Sequence, residues 1–137
     1  KAIDISKTTA PHAISYKITH DFGIAHGHAA ALTLGPTMVF NSSTKQNELV
    51  DERGLEHLHD ALQLILTQLG AHDAREGMGQ IDKLMRSIGC STRLSSLGIE
   101  GTEVLSRIAE SVNQERLGNN PRRMDCSQVL QILESIR

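Results

Sequence analysis

Apolar residues return every three or four positions along most of this chain, and glycine closes the runs. Between 51 and 69, Leu55, Leu58, Leu62, Ile65, Leu66 and Leu69 mark one face of a helix, and Gly70 follows the last of them. Over 73–88, Met78, Ile81, Leu84, Met85 and Ile88 repeat the form, closed by Gly89. A period near 3.6 does not suit a strand, whose side chains alternate between two faces. No stretch alternates convincingly, so the fold class is all-α, a helical bundle-like arrangement.

The remaining punctuation agrees. The run Thr8-Thr9-Ala10-Pro11 offers a threonine cap and a first-turn proline for a helix over 8–21, with Phe22-Gly23 as its stop and Gly23 suited to a left-handed cap. A second helix is expected from His26 to about Phe40, small enough at Ala29, Ala30 and Ala31 to pack closely, with Pro36 expected to kink it or end it early. Residues 41–47 read as a polar connector. Residues 91–101 read as a loop that buries Leu94, Leu97 and Ile99. Thr102 is expected to cap a helix reaching about Val112. After an Asn119-Asn120-Pro121-Arg122 turn, Asp125 or Ser127 caps a last helix carrying Leu130, Leu133 and Ile136.

The 137 residues suffice for one domain, 1–137, with a real core. Net charge is −2, which disfavours a phosphate-backbone binder. Tyr16, Phe22 and Phe40 are the whole aromatic complement, too few for base-stacking platforms, so no nucleic-acid partner is expected. No secretion signal or apolar run of about 18 residues stands out, so no membrane partner is expected. Cys90 and Cys126 are too few for a disulfide framework, and a reduced, cytoplasmic compartment is the default.

Histidine is the unusual residue. Four of seven, His12, His20, His26 and His28, fall between 12 and 28. His12 and Tyr16 are four apart and share a helix face. His26 opens the next helix after a glycine turn, so His12 and His26 can converge on one point, as facing helices do at bundle metal sites. Imidazole suits Fe²⁺ or Zn²⁺. Two nitrogens do not fill a coordination sphere, so solvent or ligands from elsewhere must complete it. His28 points to another face, and His20, His57, His59 and His72 read as solvated or incidental. The competing reading is a stand-alone helical interaction module whose histidines are all incidental.

The runs Ala10-Pro11-His12-Ala13-Ile14-Ser15-Tyr16 and Gly23-Ile24-Ala25-His26-Gly27-His28-Ala29 resemble the second signature of the iron-containing (group III) alcohol dehydrogenases. The likeness continues through the helix order to the Asn119–Arg122 turn. It implies an all-helical C-terminal domain of a metal-dependent, NAD(P)-linked alcohol dehydrogenase or aldehyde reductase, with His12 and His26 as two ligands of a divalent ion (Fe²⁺ or Zn²⁺). By the same resemblance an Asp and a His ligand lie upstream, together with the glycine-rich turn for NAD or NADP. No G-x-G-x-x-G run occurs here, so no cofactor-binding residue is expected in this segment. Lys1 then reads as an internal position of a longer enzyme, a homo-oligomer acting on a small alcohol or aldehyde, and this segment alone is expected to be inactive. A glycerol-dehydrogenase-like or dehydroquinate-synthase-like relative is the alternative within the same superfold.

Two departures bear on substrate. Tyr16 stands where many family members carry a third histidine. A phenol is a weak base near neutral pH, so substrate lining is preferred to acid–base work, and no catalytic residue is assigned. Arg116 and Asn119 stand in a loop that the resemblance places near the substrate, and a guanidinium there would suit a carboxylate, phosphate or phosphonate. A helix-end arginine paired with Glu115 is the plain alternative. The segment 6–13 also resembles a subgroup associated with phosphonoacetaldehyde reduction, which makes an anionic aldehyde the expected substrate.

Overall fold

The structure, a computed structural model, describes residues 7–137; Lys1 and Ser6 therefore lie outside the described residues. Helices are α1 Ala10–Phe22, α2 His26–Ser42, α3 Gly54–Leu69, α4 Ala74–Ser87, α5 Thr102–Ser111, α6 Gln114–Leu117 and α7 Cys126–Ser135. Short 3₁₀ turns lie at Gln46–Glu48 and Ser95–Leu97. Among the described residues extended pairing is confined to one isolated antiparallel bridge, Leu49 to Arg122. The all-α reading holds. No helix among the described residues is long and apolar enough to cross a membrane.

Local chemistry explains the boundaries. Thr9 is the N-cap of α1, but its side chain makes no capping bond. Its carbonyl instead accepts the N–H groups of His12 and Ala13 at 3.1 Å each, and Pro11 fills the first turn, where an N–H has no helical partner anyway. Gly23 ends α1 at φ 68°, a left-handed turn that glycine adopts freely, and its N–H donates to the Thr19 carbonyl at 3.0 Å. Asp73 caps α4 and Asp125 caps α7, the latter with Gln128 returning the bond to the Asp125 N–H.

Five expectations need correction. Helix α2 runs through Pro36 to Ser42. Gly35, Pro36, Thr37 and Met38 are all buried, and that packing offsets the roughly 3 kcal/mol a mid-helix proline costs. Asn41 consequently belongs to the helix and is buried, not part of an exposed connector. Gly101 at φ 88°, not Thr102, is the N-cap of α5. The apolar stripes of α3 and α4 are wider than their buried faces, since Ile65, Leu84 and Ile88 are exposed while Leu58, Leu66 and Met85 are buried. In the 91–101 loop Leu94 and Ile99 are fully buried, whereas Leu97 is half-buried.

One core joins Ile14 and Ile18 of α1, Ala29 and Leu32 of α2, Leu105 and Ile108 of α5, and Val129 and Leu133 of α7. A smaller core, Met38, Leu66, Ala71 and Ala74, lies where α2 meets the α3–α4 hairpin. Helix α2 thus anchors in both. Residues 23–25 also set the register of α1 against α2. The left-handed Gly23 turns the chain back at the end of α1, and Ile24 and Ala25 lead it into α2. The chain therefore folds back, and α2 begins beside Ser15 rather than beside Phe22.

Candidate metal half-site

That register brings the two expected ligands together. His12 Nε2 lies 3.1 Å from His26 Nε2, with ring centroids 4.7 Å apart and planes at 77°. Both side chains are half-buried. Ligand nitrogens about 2.1 Å from one ion, at angles of roughly 90–109°, stand about 3.0–3.4 Å apart. The pair has that spacing, so the donor set fits two adjacent ligands of one divalent ion. Among the described residues no group of three or more His, Cys, Asp or Glu gathers to hold a metal. If the pair holds an ion, further ligands would have to come from outside these residues.

The other histidines are placed elsewhere. His28 Nε2 donates to the Ser91 carbonyl at 2.7 Å, tying the start of α2 to the 91–101 loop. His20 is exposed beside Asp21, at 2.8 Å, and His57, His59 and His72 are exposed. The Asp21 carboxyl is held below its usual range, first by that contact with His20 and then by Lys17.

Tyr16 joins the pair. Its ring centroid is 5.2 Å from that of His26 and 6.2 Å from that of His12, and the side chain is 47% exposed. Arg116, at the end of α6, lays its guanidinium over the Tyr16 ring with Cζ 4.4 Å from the centroid. Short α6 holds it there: Asn113 caps the helix by accepting the Arg116 N–H at 3.0 Å. Among the described residues the arginine ion pairs are those of Arg53, Arg86 and Arg122, so the Glu115 pair of the plain alternative does not form, although Arg116 does stand in the last turn of its helix. Stacking leaves the N–H groups at the guanidinium edge free to donate. Asn119 lies just beyond α6, at the chain entering α1. Its amide donates to the Thr8 carbonyl at 3.3 Å and holds the chain entering α1.

Sequence reasoning missed Ser15, which is fully buried between the two histidines and touches both residues. Its signal was a small polar residue three positions after His12 on a helix face that is otherwise apolar. An open cleft of about 380 Å³ adjoins His12, lined also by Thr8, Thr9, Pro11, Gly27 and Leu34.

Fold and site together define an all-helical domain in which two imidazoles face each other across the start of α2. The chain belongs to the Fe-containing alcohol dehydrogenase family: residues 2–137 match its C-terminal domain. It is also similar to the phosphonoacetaldehyde reductase of Streptomyces viridochromogenes, with 33% identity over 125 residues. Those residues are 91% of this chain and 30% of that reductase, so the chain spans under a third of its relative's length.

Proposed function

We propose that this chain is the metal-holding helical half of an NAD(P)-linked reductase of an anionic aldehyde, with His12 and His26 as ligands of Fe²⁺ or Zn²⁺. The observation that carries this reading is the 3.1 Å approach of the two Nε2 atoms, a spacing that suits two ligands of one ion and that one N–H···N bond between the rings can hold when no ion is bound. When bound, the ion supplies polarisation of the substrate oxygen, favouring alkoxide character. The nicotinamide is expected on the upstream part of the enzyme, so this chain's task is to hold and orient.

Tyr16 walls the site beside His26, and Arg116 lies on its outer side. A guanidinium so placed can take an anionic group of the substrate while the carbonyl end lies toward the histidines. The relative named as a phosphonoacetaldehyde reductase supports an anion of that kind. Metal analysis of the full-length protein, together with an aldehyde panel and reduced NAD or NADP, tests the reading. A bound divalent ion and reduction of anionic aldehydes are expected; an ion-free or inactive protein overturns it. Within the panel, Arg116→Ala should raise KM for an anionic aldehyde about tenfold or more, as for loss of a charge-assisted bond worth about 1.5–3 kcal/mol, and leave KM for a neutral one within about twofold. Equal effects on both would remove the anion role.

A further inference from the structure

Ser15 is fully buried, yet neither a ligand nor a capping residue. Its Oγ stands 2.8 Å from the His12 carbonyl and 3.3 Å from His26 Nδ1. A carbonyl carries no hydrogen, so the shorter contact has one direction: Ser15 donates its single proton to His12 O. The oxygen then has only lone pairs left for His26, and an attractive contact requires the proton on His26 Nδ1. A neutral imidazole has one N–H, so His26 Nε2 carries a lone pair, able to accept from His12 Nε2–H or to bind an ion. That nitrogen is the one facing His12 Nε2.

We infer that Ser15 is a positioning residue that fixes His26 in the Nδ1–H tautomer and so presents Nε2 ready to bind a metal. The inference rests on the metal reading above. Free histidine prefers the opposite tautomer, with the proton on Nε2, so without Ser15 the ring must shift its proton before binding. The hydroxyl also joins the two ligands mechanically, because the carbonyl it grips belongs to His12 and the ring it holds belongs to His26. Partners of this kind, one shell out from the ion, set ring orientation and are worth about 10–100-fold in metal affinity.

The test uses the full-length protein with ¹⁵N-labelled histidine, stripped of metal. Wild type should show His26 protonated at Nδ1, and Ser15→Ala should move the proton largely to Nε2. Zn²⁺ titration against a competing chelator should then show affinity about 10–100-fold weaker in Ser15→Ala. Ser15→Cys, which keeps the volume but not the strong acceptor, should behave the same way if alanine disturbs the packing. Finding His26 protonated at Nε2 in wild type, or Zn²⁺ affinity within twofold of wild type in both variants, overturns the role. His26→Ala separates this from the metal assignment. Undiminished Zn²⁺ binding there overturns the assignment itself, whereas lost binding there with undiminished binding in the Ser15 variants overturns Ser15 alone.

Discussion

The two ends of α2 are both polar, and they are built in opposite ways. At its C-terminal end the polar side chains of Asn41, Asn120 and Arg122 bond one another and the backbone. Asn41 donates to Asn120 at 3.1 Å, and Asn120 donates to Asn41 at 2.9 Å and to the Arg122 carbonyl at 2.7 Å. Arg122 lies over the Phe40 ring and donates to the Phe40 carbonyl, Ser43 Oγ and Glu48. Asn120 is 1% exposed. At the N-terminal end two imidazole nitrogens meet at 3.1 Å on a half-exposed face, beside a half-exposed tyrosine and an arginine without a carboxylate among the described residues. A buried, mutually bonded polar cluster specifies a fold; a histidine pair at an open face can exchange its one bond for a ligand.

The largest effects should separate the two ends by what they disturb. At the open end, His12→Ala or His26→Ala in the full-length protein should abolish metal retention. Turnover should fall by more than the about 10–100-fold that losing an outer partner costs, with Tm of the metal-free protein nearly unchanged. Metal content measured beside a melting curve checks it, and retained metal with normal turnover would break the contrast. At the closed end, Asn120→Ala leaves Asn41 and the Arg122 carbonyl buried without partners. Each orphaned group costs about 1–3 kcal/mol, so urea unfolding should show a loss of about 2–6 kcal/mol. A loss under about 1 kcal/mol would mean that water enters and that this end is not closed after all.

Between the ends α2 crosses α4, and two glycines there differ in an instructive way. A Cβ at Gly35 would lie 2.6 Å from Met78 Cγ and 3.3 Å from its Cα, so backbone stands in the way. At Gly77 the nearest atoms are side-chain tips, Met38 Cε at 2.7 Å and Leu66 Cδ2 at 2.8 Å. Alanine gains about 1 kcal/mol over glycine inside a helix, while overpacking costs about 1–3 kcal/mol. Gly35→Ala should therefore lose about 1 kcal/mol net, and Gly77→Ala should come out near zero because its neighbours can rotate away. Thermal unfolding of the two variants decides it, and the reverse order would show that the crossing is loose.

How far the sequence reveals these ends depends on the range of the interaction. Periodicity in Leu58, Leu66 and Met85 finds the buried faces because helix geometry is local, and the same holds for the left-handed Gly23 and the capping Asp125. The histidine pair is legible because its spacing is tied to a signature across one turn. Asn41 and Asn120 stand 79 positions apart, and nothing in either segment announces the other. Pro36 misleads because propensity is outweighed by tertiary packing that only the α2–α4 crossing supplies. Ser15 is hidden for another reason. Its role follows from which way one proton points, and that requires the His12 carbonyl and the His26 ring to be in place together.

The smallest effect concerns pH at the closed end. The Glu48 carboxyl is held below its usual range, first by the Lys45 backbone N–H and then by Arg122. A carboxyl depressed in the folded state contributes stability above its unfolded pKa and loses it as pH falls through the folded value. Glu48→Gln should therefore melt slightly below wild type at pH 7, with the gap closing as the solution is acidified below the ordinary glutamate range. The gap must be small, because Glu48 is partly exposed and solvent screens the pair. Melting curves at three pH values measure it. A gap that widens in acid would reverse the sign and place the Arg122 contact outside the network that closes this end of α2.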